Sequence, residues 1–174
     1  MVPRIETPRL ILRGWRASDA EGHAAMCAEP EVMRFVGGAL TPQQSWRVMA
    51  QHAGHWTLRG YGPWAIERQN DGALLGRAGL WNPDGWPGLE LGWVLARHAW
   101  GQGYATEAAH AALEWTWASV ATDRIISIIA PENQASIRVA ERLGLALERE
   151  QRLDDNPVRI YGIDRPGLQT GMRG

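Results

Sequence analysis

The stretch from residue 89 to residue 118 constrains the fold of this chain more than any other part. An apolar strand over residues 89–95 leads to a Gly101-Gln102-Gly103 turn, and an alanine-rich helix begins directly after it. The first amides of a helix have no helical acceptor, and two glycines place no Cβ in front of them. The helix dipole adds attraction for negative charge. The pattern predicts a phosphate-binding turn in an α/β protein.

Two familiar phosphate-binding loops do not fit this turn. A Walker A loop requires a lysine after its second glycine, and the chain contains no lysine. A dinucleotide-binding loop requires a third glycine where Thr106 stands, and its turn follows the strand directly. Here residues 96–100 separate the strand from the glycines. A helix start that binds no ligand is the alternative interpretation.

The segments around the turn carry a family resemblance. Glu90-Leu-Gly-Trp precedes it, the turn reads Trp100-Gly-Gln-Gly-Tyr-Ala-Thr-Glu-Ala, and Asn133-x-x-Ser136 follows a strand at residues 124–130. Together with the opening Glu6-Thr-Pro-Arg-Leu-Ile-Leu-Arg, these phrases resemble the GNAT superfamily of acyl-CoA-dependent N-acetyltransferases, and its RimJ/RimL-like branch in particular. The resemblance covers nearly the whole chain.

The resemblance implies a single GNAT-like domain over residues 1–174, of the α/β (α+β) class. We expect a mixed central sheet of about seven strands flanked by helices, with acetyl-CoA as co-substrate in a cleft between the middle strands. The pyrophosphate is expected on the amides of the turn and the pantetheine along the preceding strand. The residues implied to bind the cofactor are Trp93, Val94, Leu95, His98, Gly101, Gln102, Gly103, Tyr104, Ala105, Thr106, Asn133, Ser136 and Arg138.

One position departs from the family pattern. The loop of the superfamily usually begins with Arg or Gln, and this chain has His98 there, with Arg97 just before it. Which of the two side chains assists the pyrophosphate is left open. The backbone amides of the turn are unaffected by this change.

Two residues are candidates for catalysis. A carboxylate on a half-buried strand has a raised pKa, which suits a general base near neutral pH, and Glu90 stands among apolar residues on such a strand. The alternative is that Glu90 points outward into solvent. The resemblance implies that Ser136 protonates the departing CoA thiolate, and the alternative is that it only caps the following helix.

Composition restricts the remaining functions. The 174 residues fit one domain, and a formal net charge of −1 argues against partners that are nucleic acids or membrane surfaces. The start has no signal-peptide pattern, and the lone Cys27 fits a reducing compartment, so we expect a cytoplasmic protein. His52 and His55 have metal-ligand spacing without a third ligand, so the interpretation is a wet helix face and no metal.

Local signals predict several elements in detail. Ser18-Asp19 is expected to cap a helix over residues 20–28, and Thr41-Pro-Gln-Gln44 has the form of a capping box. Asn70-Asp-Gly72 predicts a hairpin turn between strands at 64–68 and 73–81. Asp154 and Asp155 are expected in a turn between two final strands. Five tryptophans are candidates for pocket walls, with packing as the default for each: Trp46, Trp56, Trp64, Trp81 and Trp93.

The function predicted from these observations is transfer of an acetyl group from acetyl-CoA to a primary amine, which attacks the thioester directly. The acceptor is expected to be a small-molecule amine or the α-amine of a peptide or protein, and a homodimer is left open. The alternative is a CoA-binding sensor or partner protein with the same fold and no turnover. Gly101 and Gly103 serve both interpretations, whereas Glu90 and Ser136 serve only the enzyme.

Overall fold

The computed structural model of this chain describes residues 1–167. Its elements, in chain order, are β1 (Ile5–Glu6), β2 (Leu10–Arg13), α1 (Ala20–Ala28), α2 (Pro30–Met33), α3 (Pro42–Arg59), β3 (Pro63–Arg68), β4 (Leu74–Trp81), β5 (Glu90–Leu95), α4 (Tyr104–Ser119), β6 (Arg124–Ile129), α5 (Gln134–Arg142), β7 (Ala146–Leu153) and β8 (Asn156–Asp164). One mixed sheet contains all the strands, in the order β1-β2-β3-β4-β5-β6-β8-β7, and only the β5–β6 pairing is parallel.

Local chemistry fixes the boundaries of several elements. At the start of α3, the Thr41 hydroxyl accepts from the Gln44 amide and the Gln44 side chain accepts from the Thr41 amide, which confirms the predicted capping box. The Asn70–Gly72 turn joins β3 and β4 as an antiparallel hairpin, as predicted. Asp154 and Asp155 both have positive φ, so they form the two-residue turn between β7 and β8.

Small residues allow α4 to lie close to one face of the sheet. Ala108, Ala109 and Ala112 are fully buried and belong to the same core cluster as Leu91 and Leu95 of β5. A helix with only methyl groups on its inner face approaches the strands closely, so the N-terminus of α4 is held beside the end of β5.

Helices α1 and α3 cover the opposite face. Val94 of β5 packs with Met26 and Cys27 of α1, and Trp81 of β4 contacts His52 and His55 of α3. Because side chains alternate along a strand, β4 and β5 present separate sets of residues to these helices and to α4.

The expected mixed sheet of about seven strands is confirmed: within residues 1–167 it has eight, the additional one being the two-residue β1 at the edge. Two expectations about local structure need correction. Asp19 does not cap α1 with its side chain; its buried carboxylate accepts two hydrogen bonds from Arg13, at 2.7 and 2.8 Å. His52 and His55 do not form a wet face, since both are buried where α3 covers the sheet.

Candidate active site

Strands β5 and β6 diverge in the middle of the sheet. Their ladder contains the single partner pair Glu90–Ile126, and the Ser127 hydroxyl then donates to the Leu91 carbonyl at 2.7 Å. Beyond this point the two strands separate, so the main chain of Trp93 to Leu95 borders a cleft on its β6 side. The strand edge that would pair with β6 is left for another extended group.

The register of β5 decides which amides enter this cleft. In an antiparallel pair of strands, every second residue forms its hydrogen bonds with the neighbouring strand. Since the Ala96 amide donates to the Leu75 carbonyl of β4, the Val94 amide also faces β4, and the amides of Trp93 and Leu95 face away from it. Trp100 donates its indole N–H to the Leu95 carbonyl at 2.8 Å. The amides directed into the cleft are therefore those of Trp93 and Leu95, and Val94 contributes only a side chain buried beneath α1.

The glycine turn presents unpaired amides at the mouth of the cleft. Gly101 and Gly103 have φ values of 72° and 80°, a region that L side chains rarely adopt. Gly103 occupies the N-cap position of α4 and has no side chain to accept from the first turn. The amides of Tyr104, Ala105 and Thr106 are thus free to bind an anion.

The N-terminal segment supports this turn from below. Arg9 donates to the Gln102 carbonyl at 2.8 Å and to the Glu107 carboxylate at 2.7 Å, and its guanidinium lies 4.5 Å from the centre of the Tyr104 ring. The Thr7 hydroxyl also donates to Glu107, at 2.6 Å. Burial opposes ionisation of Glu107, but these hydrogen bonds hold its pKa below the usual value. Sequence reasoning missed this role of Arg9, because its partners lie more than 90 residues away.

The side chains of the turn have other tasks than contact with an anion. Arg97 forms an ion pair with Glu31 of α2 at 2.5 Å. The Gln102 side chain donates to the His98 carbonyl at 2.9 Å, while the His98 ring is exposed. Tyr104 is buried in the core. The turn therefore offers its main chain, and of the two side chains left open above, His98 is the one without an ion pair.

Glu90 lies at the point where β5 and β6 separate, and its side chain is half-buried rather than solvated. Burial raises the pKa of its carboxyl to about 7. Three groups oppose this by favouring the ionised form: the Trp86 indole, which donates to Oε2 at 2.7 Å, the charge of Arg77, and the Ile128 amide. A carboxyl with this pKa can accept a proton near neutral pH.

Asn133 and Ser136 lie at the N-terminus of α5. The Asn133 side chain accepts from the Ser136 amide at 3.2 Å, so Asn133 rather than Ser136 caps the helix. The half-buried Ser136 hydroxyl forms no hydrogen bond with any residue from 1 to 167, which leaves it available to a ligand. Arg138 is exposed on the same helix.

The other candidates have structural surroundings. Trp56 and Trp64 pack in the core with Trp115, while Trp46 is exposed at the surface. Cys27 is buried, and burial raises the pKa of its thiol, as expected for a packing residue. Among residues 1–167 no three His, Cys, Asp or Glu side chains come together in a metal-binding group. No helix in this part of the chain combines the length and apolar character needed to cross a bilayer.

Comparison with known proteins identifies the family of this chain. Residues 9–146 match the model of the acetyltransferase (GNAT) domain family. The uncharacterized protein YkkB of Bacillus subtilis is 30% identical over 91% of this chain and 94% of its own length.

Solved structures show the same fold. The crystal structure of an acetyltransferase from Agrobacterium tumefaciens is 30% identical, with a TM-score of 0.85 over 94% of this chain and 95% of that one. RimL, a ribosomal-protein α-N-acetyltransferase solved with coenzyme A, shares the fold with a TM-score of 0.78 at 18% identity, over 93% of this chain and 98% of its own. This chain belongs to the GNAT family and is an acyl-CoA-dependent acetyltransferase.

Proposed function

We propose that this protein transfers an acetyl group from acetyl-CoA to a primary amine by direct attack of the amine on the thioester. The observation that carries the proposal is the position of Glu90, a carboxyl with a pKa of about 7 where β5 leaves β6. The base and the unpaired amides of Trp93 and Leu95 belong to the same short stretch of strand. A proton acceptor and hydrogen-bond donors for a carbonyl oxygen thus lie on one strand, with the nearer donor about 10 Å from Glu90 along it.

Each step has an assigned residue. Glu90 accepts the proton that the amine loses, directly or through one water, as the nitrogen bonds to the carbonyl carbon. The Trp93 and Leu95 amides stabilise the negative charge that develops on the carbonyl oxygen. The carbon–sulfur bond then breaks, and Ser136 supplies a proton to the departing thiolate. The amides of Gly103 to Thr106 hold the pyrophosphate.

The pKa of the base bears on the acceptor. At pH 7.5 deprotonation of a lysine-like amine costs about 4 kcal/mol, whereas an α-amine costs well under about 1 kcal/mol. A base with a pKa of about 7 is mostly ionised at this pH, yet it is too weak to favour the lysine-like amine. The acceptor is therefore a small-molecule amine or an N-terminal α-amine.

The test is a thiol-release assay with acetyl-CoA and a panel of amines. The panel contains α-amino peptides, lysine peptides, polyamines, amino acids and amino-acid amides. We expect acceptor-dependent release of CoA and a product that is heavier by one acetyl group in mass spectrometry. Tight binding of acetyl-CoA without release for any amine would instead indicate a CoA-binding sensor.

A further inference from the structure

Directly beside Glu90, the β4–β5 ladder contains a place without side chains. Gly79 lies opposite Gly92, with the Trp81–Glu90 pair on one side and Arg77 on the other. A Cβ on Gly92 would lie 3.7 Å from Oε1 of Glu90 and meet no other atom within 4 Å outside its chain neighbours. The space over Gly92 is open, whereas a Cβ on Gly79 would lie 2.5 Å from the Gly62 carbonyl oxygen and 2.8 Å from the Trp64 ring. We call the exposed main chain at Gly92 the floor. The Cα atoms of Glu90 and Arg77 are about 13 Å apart along the strands.

Aromatic rings from α1, α3, β4 and the segment after β2 form a connected group beside this floor. The ring of Trp81 lies 5.7 Å from that of His52 and 4.7 Å from that of His55, measured between centroids. The ring of Trp15 lies 5.6 Å from His52 and 5.1 Å from His23. These surfaces suit the apolar body of a small molecule better than a hydrated chain of charges. We call the floor and these rings the acceptor chamber.

The titratable groups that face Arg77 in the acceptor chamber are almost all neutral at pH 7. Burial, reinforced by the charge of Arg77, lowers the pKa of His23 to about 4 and that of His52 well below its usual value. Burial raises the pKa of the Cys27 thiol, which keeps its proton. Glu90 is the remaining acid, and its pKa of about 7 leaves it only partly ionised.

Arg77, which is half-buried, therefore has no fully ionised acid beside it. Arg13, a buried arginine of the sheet, by contrast donates to Asp19 at 2.7 and 2.8 Å and to Glu67 at 2.6 Å. Arg77 forms no hydrogen bond or ion pair with any residue from 1 to 167, and burial lowers its pKa. A half-buried guanidinium without a protein partner has lost part of its hydration and is available to an anionic ligand.

A second unsatisfied group lies in the same chamber. Nδ1 of His52 has no hydrogen-bond partner among the described residues, although only 4% of His52 is exposed. Buried polar atoms in folded proteins are nearly always paired with protein or water. Arg77 and His52 thus both lack a polar partner in the acceptor chamber, where a polar group of a ligand could supply it.

On the premise of the amine acetylation proposed above, we propose that the acceptor amine carries a carboxylate, which Arg77 binds while Glu90 receives the proton from the amine. A guanidinium and a carboxylate form a strong paired hydrogen bond. The open space over Gly92 and the neighbouring rings admit the apolar side chain of the molecule. Polyamines and lysine-rich peptides are disfavoured, because Arg77 repels a second cation. The acceptor is an amino acid with an apolar side chain and its amine in the α position.

The test compares matched pairs of acceptors that differ only in the carboxylate. Phenylalanine is paired with 2-phenylethylamine, and leucine with 3-methylbutylamine, so that each pair differs by the carboxylate. We expect the wild-type protein to prefer the carboxylate member by at least about tenfold in kcat/KM, as expected for a charge-assisted contact. Arg77→Gln should bring that ratio to within about twofold of one, and Arg77→Lys should retain part of it.

Arg47→Gln is the matched control, since Arg47 is exposed on the outer side of α3 and its loss changes the net charge equally. The ratio should be unchanged in this variant. If Arg77 serves only to tune Glu90, its removal raises the pKa of Glu90 and shifts the pH profile of both pair members alike. A ratio that stays constant in Arg77→Gln therefore overturns the proposal.

A binding measurement separates this proposal from the proposed function. 3-Phenylpropionate has the carboxylate and no amine, so its affinity by calorimetry does not depend on turnover. We expect Arg77→Gln to weaken it about tenfold and to leave CoA affinity unchanged. If Arg77→Gln does not fold, Gly92→Ala is the second variant. It places a methyl group on the floor and should lower the affinity for 3-phenylpropionate at least about fivefold. Equal affinity in wild type and variant refutes the carboxylate site, whereas absence of CoA release refutes only acetyl transfer.

Discussion

The two ends of the cleft are built from different parts of the chain. At the proposed coenzyme end, the turn from Gly101 to Thr106 offers main-chain amides, and its side chains are exposed, buried or bonded to other residues. At the proposed acceptor end, the main chain contributes the open floor at Gly92, and side chains such as Glu90 and Arg77 would supply the chemistry.

This difference separates what the family shares from what distinguishes its members. Amides are present whatever the sequence, so a phosphate site made from them tolerates many substitutions. A site made of side chains changes with each residue that faces it. The coenzyme end should therefore respond to changes of backbone conformation, and the acceptor end to changes of functional group.

The largest effect is expected for Glu90→Gln. The variant keeps the shape and the hydrogen bond with Trp86 but removes the base, so kcat should fall by about 10² to 10⁴ while CoA affinity is unchanged. Wild-type turnover should rise with pH through about 7, as Glu90 loses its proton. The deficit should shrink as pH rises further, because more free amine is then present. Wild-type rates at pH 7 would rule out the assignment; Glu132→Gln, at an exposed site, is the control.

Ser136→Ala probes the other half of the proton transfer. Removal of the hydroxyl should lower kcat by about 10² and leave α5 intact, because Asn133 provides the cap. The deficit should grow with pH, since the attack speeds up while the thiolate still leaves without a proton. Pre-steady-state release of thiol measures this step, and a deficit independent of pH would contradict the acid role.

Gly103→Ala tests whether the coenzyme end depends on backbone conformation. The residue has a φ of 80°, and Gly60 at the end of α3 has a φ of 75° with no atom near its missing Cβ. Alanine should cost about 1–2 kcal/mol of unfolding free energy at both sites. Only Gly103→Ala should also lower the affinity for CoA, by about tenfold as measured by calorimetry. Equal CoA affinity in the two variants would show that the turn is not the phosphate site.

The smallest effect is expected for His98→Ala. If amides bind the pyrophosphate, loss of this exposed ring removes one auxiliary contact at most, worth about 1 kcal/mol or roughly a fivefold change in CoA affinity. His110→Ala, an exposed histidine on α4, is the control. A loss of CoA affinity as large as that of Gly103→Ala would mean that His98 replaces the usual Arg or Gln. The coenzyme end would then depend on a side chain as well as on main-chain amides.

The elements with local causes were predictable from sequence. The Thr41 capping box, the Asn70–Gly72 hairpin and the glycine turn each depend on residues within a few positions of one another. The raised pKa of Glu90 was also foreseen, because a strand of apolar residues around a carboxyl implies burial.

The remaining features depend on contacts that no local pattern contains. Asp19 resembles a helix cap in sequence, but its carboxylate forms a bidentate ion pair with Arg13 and does not cap the helix. The polarity of His52 suggests an outward face, and the packing of α3 on the sheet makes it inward. The sequence around Arg77 does not distinguish it from other strand arginines. Its surroundings follow from the packing of β5, α1 and α3, whose groups near it are mostly neutral.

The bonds of Arg9 and Thr7 with Glu107 have a consequence for the life of the protein in the cell. They join residues 7 and 9 to a residue about 100 positions later in the chain, so the proposed coenzyme site is complete only after this earlier segment has docked. Coenzyme bound there would stabilise the folded state, because it binds only after this segment has docked. At a concentration a hundredfold above its Kd it adds about 2.7 kcal/mol to the free energy of unfolding. The lifetime of this protein should therefore follow the supply of coenzyme A in the cell.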